Sequence, residues 1–471
     1  MQNYSRFLWF GLLAALVAIV LLVAPGAARP VYAAGTAVVI DHFEIQQDIT
    51  ATIPSPVISQ TLGGLADPSI IGSSRKLWLN FYGNSGGGSP QITANANTPF
   101  SQFSYNPDNN SRGQVRITWD GSTNGSDPLA LNFNLSANFS ALPYVVVANE
   151  HNSWTSTLYT LTLYTDAGNY SVYKPMHIPS QANNTTLPNA LFFRLAAPFS
   201  ATGAGVTLSN VKAIVFEIDS NGVDGALSRI RYIEATEADF GDLPTAYKVS
   251  FESITTLAGS PSSLQAAVNS YDPNLYLGTN WDGEADGTNS ATAFYDDNHG
   301  VAFPNGDEDG VHLGSSSVWA PSNVVSLTVQ VVGDGCLSGW VDWLDKGGFL
   351  QVTDAVVTNT LVTTGTYTIN PTFPSGGAGG SAPYTRFARF RLFPRTSGGT
   401  CPSASTPLPF TGEYLGGETE DYLFGSNPTA VTLTNLSANA DSNNWVFPVA
   451  GGAVLALGTL GVAVLRRRRA R

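Results

Sequence analysis

The chain of 471 residues is poor in charge, cysteine and histidine. Charged residues make up 12% of it, whereas aromatics reach 11% and there are 47 Gly and 28 Pro. Disordered chains carry more charge and fewer aromatics, so this composition describes a packed, turn-rich protein. Two cysteines, Cys336 and Cys401, are too few for a disulfide-dense scaffold or a cysteine-bound zinc cluster. The five histidines are scattered, with no His-Glu-x-x-His pair and no phosphate-binding loop anywhere in the chain. With these signals missing, we expect no enzymatic activity. Basic residues are scarce too, and a net charge of −13 argues against a nucleic-acid partner. Arg6, Arg29, Arg466 to Arg469 and Arg471 lie in the two end segments. Between them 15 bases face all 35 acids, a balance of −20.

What is present at the ends points out of the cytoplasm. Residues 1–33 read as a secretory signal: Arg6, an uncharged apolar run from Leu8 to Val23, then Val31-Tyr32-Ala33 as a cleavage site. The run is long enough to serve instead as an uncleaved anchor. Residues 445–465 form a second uncharged run, about 30 Å long as a helix and so long enough to span a bilayer. The arginines of 466–471 follow directly and mark a cytoplasmic tail. The expected topology is therefore a single-pass membrane protein, exported, with residues 34–444 outside the cell and 426–444 as a spacer. Leu408-Pro409-Phe410-Thr411-Gly412 spells the LPxTG sortase pattern, but more than 30 residues separate it from the apolar run. We do not read it as an anchoring signal.

Between the ends, no long 3.6-residue apolar period is sustained. Short alternating runs bounded by Gly, Asn, Asp, Pro and Ser recur instead, among them Lys76 to Tyr82, Gln114 to Trp119, Tyr144 to Ala148 and Leu158 to Tyr164. The fold class expected is all-β, with two β-sandwich domains in tandem. Val39-Ile40-Asp41-His42-Phe43-Glu44, a glycine ahead of Arg75 and the run from Val211 to Ala235 resemble a galactose-binding-like jelly roll over residues 36–238. Carbohydrate-binding modules share that fold, which also hosts purely structural modules. Trp119, Trp154, Tyr159 and Tyr164 are the candidate stacking platforms for a sugar ring, with core packing as the alternative for each.

A second resemblance begins at Asp239-Phe240-Gly241-Asp242-Leu243-Pro244. It continues through Asp282-Gly283-Glu284-Ala285-Asp286-Gly287, Asp307-Glu308-Asp309-Gly310-Val311 and Gly339-Trp340-Val341-Asp342-Trp343. It ends with Arg386-Phe387-Ala388-Arg389-Phe390-Arg391 and Gly417-Glu418-Thr419-Glu420-Asp421-Tyr422. In this order the motifs resemble bacterial surface proteins with a GEVED domain. The resemblance implies a small β-sandwich over residues 311–425, preceded by an acidic Gly- and Asn-rich segment at 239–310, and no established catalysis.

That acidic segment holds twelve acids against Lys248 alone. Oxygen ligands in flexible loops suit Ca²⁺. The expected ligands come from Asp282, Glu284, Asp286, Asp296, Asp297, Asp307 and Asp309, with a solvated acidic loop as the alternative. An EF-hand is excluded, because its twelfth position is Ala293. Near Gly417 to Tyr422, the carboxylates Glu418, Glu420 and Asp421 are expected to pair with an arginine of the Arg386–Arg391 strand, where alternation puts Arg389 and Arg391 on one face and Arg386 on the other. In an exported chain Cys336 and Cys401 are expected to form one disulfide. Closing a 65-residue loop would contribute roughly 4 kcal/mol. The function expected is a surface structural or adhesion protein, possible partners being a cell-surface protein or glycan. The alternative is carbohydrate recognition by the 36–238 sandwich.

Overall fold

Inward and outward residues alternate along most strands, and this pattern decides which sheet faces are free. In the strand Ser111–Trp119, Val115, Ile117 and Trp119 are buried, whereas Arg112, Gln114, Arg116 and Thr118 stay half-exposed. Leu77, Leu79 and Phe81 of Ser74–Asn84 turn inward, and Lys76, Trp78 and Asn80 turn outward. Both strands belong to a seven-stranded sheet ordered Ser200–Thr202, Asn169–Tyr173, Leu158–Asp166, Ala213–Asp219, Ser111–Trp119, Ser74–Asn84, Val57–Gly63. Its inner face packs on a ten-stranded sheet through a core that includes Leu77, Phe103, Trp119, Val145, Val147 and Phe216.

The structure is a computed structural model that describes residues 37–425 apart from 53–56, 65–67, 85–90, 98–100, 123–127, 138, 140–142, 153–156, 176–188, 248–266, 282, 285–286, 288–292, 294–307, 315–318, 376–383 and 397. The expected signal segment, spacer and membrane span lie outside the described residues. Among the described residues no helix is long and apolar enough to cross a membrane. These residues form an all-β assembly within one compact unit ending at Phe424.

The division expected at residue 238 is bridged by hydrogen bonds. The ten-stranded sheet runs on from Asn189–Arg194 through Gly412–Tyr414 and Ala267–Ser270 to Ala238–Phe240, so strands distant in sequence complete it. The second layer of contacts explains why Tyr144 to Ala148 is apolar at every position. Val145 and Val147 face the sandwich core, while Tyr144, Val146 and Ala148 pack with Phe240, Val268 and Leu415. A strand covered on both faces loses its alternation.

The remaining strands form two four-stranded sheets that share a core. One contains Tyr276–Leu277, Val311–Leu313, Leu327–Val332 and Gly365–Ile369, and the other Gly335–Val341, Ala355–Val362, Thr385–Pro394 and Glu418–Gly425. Leu277, Val329, Leu337, Phe390 and Tyr422 belong to that core. The Cys336–Cys401 disulfide is present and ties the second sheet to the loop preceding Gly412–Tyr414. One broad face is thereby covered by the carboxy-terminal half. The outer face of the seven-stranded sheet keeps its exposed polar residues.

Candidate functional site

Among the described residues, two gatherings of polar side chains bear on the function, and burial separates them. The first is the strand Glu418–Gly425, whose residues Glu418 to Tyr422 are all buried. Arg389 grips Asp421 with two hydrogen bonds, Nε to Oδ1 at 2.8 Å and Nη2 to Oδ2 at 2.6 Å. Both side chains are inaccessible to solvent. Gly241 makes room for this pair, since a Cβ there would lie 2.1 Å from Asp421 Oδ2. Gly417 has φ +89, in the left-handed region that glycine enters freely, and a Cβ there would strike the Leu392 carbonyl.

The neighbouring side chains tie down the backbone. Glu418 accepts from the Leu277 amide, Glu420 from the Gly310 amide at 2.8 Å, and Asp239 from the Thr419 amide at 2.6 Å. The Tyr422 hydroxyl accepts from the Val311 amide at 2.8 Å. Burial, opposed mainly by the Gly310 amide, pushes the Glu420 carboxyl well above its ordinary range. As expected from alternation, Arg391 lies on the Arg389 side, where it donates to Asn269 Oδ1 at 2.6 Å. Arg386 instead donates to the Trp343 carbonyl. A ligand has no route to these atoms, so the arrangement organises structure.

The expected calcium ligands are mostly outside the described residues: Asp282, Asp286, Asp296, Asp297 and Asp307. Of the other two, Glu284 accepts from the Phe240 amide at 2.9 Å, and Asp309 accepts from the Thr279 amide and Asn280 Nδ2, both at 2.7 Å. No group of three or more metal-binding side chains occurs among the described residues. The LPxTG sequence is built into the fold. Leu408 is buried, the Phe410 carbonyl accepts from Arg389, and Gly412 pairs with Ala267 while its carbonyl accepts from Arg391.

Trp119 requires a correction. It is fully buried, and its indole N–H donates to Asp41 Oδ2 at 2.8 Å, beside the Arg75–Asp41 ion pair. A ring with no accessible face cannot stack on a sugar. Tyr159 is likewise buried, hydrogen-bonded to Ser228. Trp154 lies outside the described residues. Tyr164 does turn outward.

Tyr164 leads to the second place, a cleft of about 460 Å³ on the outer face of the seven-stranded sheet. Register builds it in cross-strand rows. Trp78 pairs with Arg116, Arg116 with Glu217, and Glu217 with Thr160. The next row is Lys76, Thr118, Val215 and Thr162. Beyond it Ala213 pairs with Tyr164, and Asp120 and Leu129 line the same hollow. The small side chains of Ala213 and Val215 lie between taller flanks, which is why the sheet surface dips there. Trp78 and Tyr164 sit three strands apart across the sheet and four residues apart along it, roughly 20 Å in all at the usual strand geometry.

The cleft has an ordered polar lining. The Arg116 guanidinium lies 4.8 Å from the Trp78 ring centroid and donates to Glu217 Oε2 through Nη2 at 2.8 Å and Nε at 3.1 Å. Lys174 Nζ donates to Thr160 Oγ1 at 2.7 Å. Burial lowers the Lys174 pKa, against the pull of Glu217 and Asp219, and raises that of the Tyr164 hydroxyl. An aromatic ring, a second aromatic, threonine hydroxyls and fixed charges in one shallow hollow can hold a polyhydroxylated ligand by stacking and hydrogen bonding. Trp78 was not among the sequence candidates. The signal was available, because Trp78 shares parity with Lys76 and Asn80, whereas Trp119 shares parity with Val115 and Ile117.

No family model matches the chain, and no curated protein matches it either. Among solved structures, the glycoside hydrolase domain Spr0440, Endo-D from Streptococcus pneumoniae R6, is similar at 6% identity with a TM-score of 0.22. The match covers 80% of this chain and 37% of that one. At such a score the likeness carries no argument about fold or activity.

Proposed function

We propose that the chain is a non-enzymatic adhesion protein of the cell exterior whose amino-terminal sandwich holds a carbohydrate across its seven-stranded sheet. The observation that carries this reading is the cleft floored by Trp78 and Tyr164, with hydroxyl and charged groups set in rows between them. Export, the tail anchor and the kinship with GEVED-type surface proteins rest on the sequence features at residues 1–33, 445–465 and 239–425. The buried Arg389–Asp421 pair and the disulfide favour a stiff carboxy-terminal half, as a support for a displayed binding face needs.

A glycan array probed with the full chain tests this reading. Binding to at least one saccharide class is expected, and Trp78→Ala should abolish it while leaving the melting temperature nearly unchanged. A blank array would leave a structural role alone. We also propose that Ca²⁺ is held within the acidic 282–309 segment. Millimolar Ca²⁺ added to chelator-treated protein should then raise its melting temperature, and no upward shift would end that idea.

A further inference from the structure

We propose that the carbohydrate bound in this cleft is an acidic polysaccharide, its anionic group met by the Lys76 ammonium; the inference rests on the carbohydrate reading above. The charge distribution is the first support. Outside its ends the chain has 15 bases against 35 acids, yet Lys76 and Arg116 line this one hollow and Lys174 donates to Thr160 on its wall. The acids facing them are Glu217, Asp120 and, on the Lys174 side, Asp219, which accepts from the Tyr82 hydroxyl and the Asn221 amide.

The pairing of these groups is the second support. Glu217 is taken by two donors of Arg116. Asp120 is only 4% exposed and accepts from the Ser122 amide at 2.9 Å. Lys174 has a neutral hydroxyl as its partner. Lys76 is half-buried in the cleft and makes no hydrogen bond or ion pair among the described residues. The cleft therefore offers an unneutralised cation while its acids are already engaged. A neutral sugar laid over Lys76 would strip water from the ammonium and return nothing for it, which disfavours neutral ligands.

Position is the third support. Lys76 and Trp78 are two residues apart on one strand face, so the ammonium stem rises about 7 Å from the ring. A sugar stacked on Trp78 can point an exocyclic carboxylate or a sulfate ester toward Lys76. Arg116 stays tied to Glu217 and keeps the Trp78 ring in place.

Two matched pairs of probes separate the outcomes. Polygalacturonate against its methyl ester reads carboxylate recognition, and dextran sulfate against dextran reads sulfate recognition. With the full chain, the acidic member of at least one pair should bind about tenfold or more tightly than its neutral counterpart, with affinity falling as salt is raised. Lys76→Gln should remove that preference and Lys76→Arg should retain it, both variants melting like the parent. Equal or tighter binding of the neutral members overturns the acidic assignment and leaves the carbohydrate reading standing. Binding of none of the four also overturns the acidic assignment, and the glycan array then decides whether the broader reading falls with it.

Discussion

Asp421→Ala is expected to lower the unfolding free energy by about 3–5 kcal/mol. The substitution leaves the Arg389 guanidinium inside the protein with its paired carboxylate gone, since neither side chain reaches solvent. The Phe410 carbonyl at 3.1 Å and the Tyr247 carbonyl at 3.4 Å remain as neutral acceptors that cannot cancel the charge. The Leu243 amide loses its acceptor as well. Replacing both partners with apolar residues, Arg389→Met with Asp421→Leu, should cost far less than the single change, because no lone charge is left behind. Urea denaturation of the parent, of Asp421→Ala and of the double variant measures the difference. A single-variant loss below about 1 kcal/mol would mean that water reaches the pair.

Trp119→Ala should cost a similar amount, about 3–5 kcal/mol, through the cavity it opens in the sandwich core. It also removes one of the groups that hold Asp41, which accepts from the Trp119 indole, from Arg75 and from the Phe43 amide. Trp78→Ala, on the opposite face of the same sheet, should stay within about 1 kcal/mol of the parent, as outward-facing substitutions usually do. Thermal melts of the two variants give the comparison. The contrast matters for function, because a glycan signal lost in Trp119→Ala reports unfolding, whereas one lost in Trp78→Ala with an unchanged melt reports a binding surface. If the two variants melt alike, the assignment of inner and outer faces is wrong.

Much of the architecture was legible from period and punctuation. Strands such as Gln114 to Trp119 announce themselves by alternation, and a cysteine pair in an otherwise cysteine-free chain leaves one disulfide as the economical reading. The split of Arg389 and Arg391 from Arg386 follows from counting positions along a strand. The outward role of Trp78 was equally countable, but an aromatic in a run as apolar as Lys76 to Tyr82 looks like core until each parity is compared with its neighbours. The joining of Ala267–Ser270 and Gly412–Tyr414 to the strand Asn189–Arg194 was not legible, because short strands paired over long sequence separations leave no local pattern. The same holds for the cleft. Its rows depend on register across four strands, and register is set by packing that one strand's sequence does not contain.

The proposed glycan lies on Trp78, on the outer face of the seven-stranded sheet. Indole NMR of the tryptophan-labelled full chain, titrated with polygalacturonate and assigned with Trp78→Phe, tests it most directly. The Trp78 N–H signal should move to saturation while that of the buried Trp119 stays fixed. Saturable binding that leaves the Trp78 signal in place would contradict it.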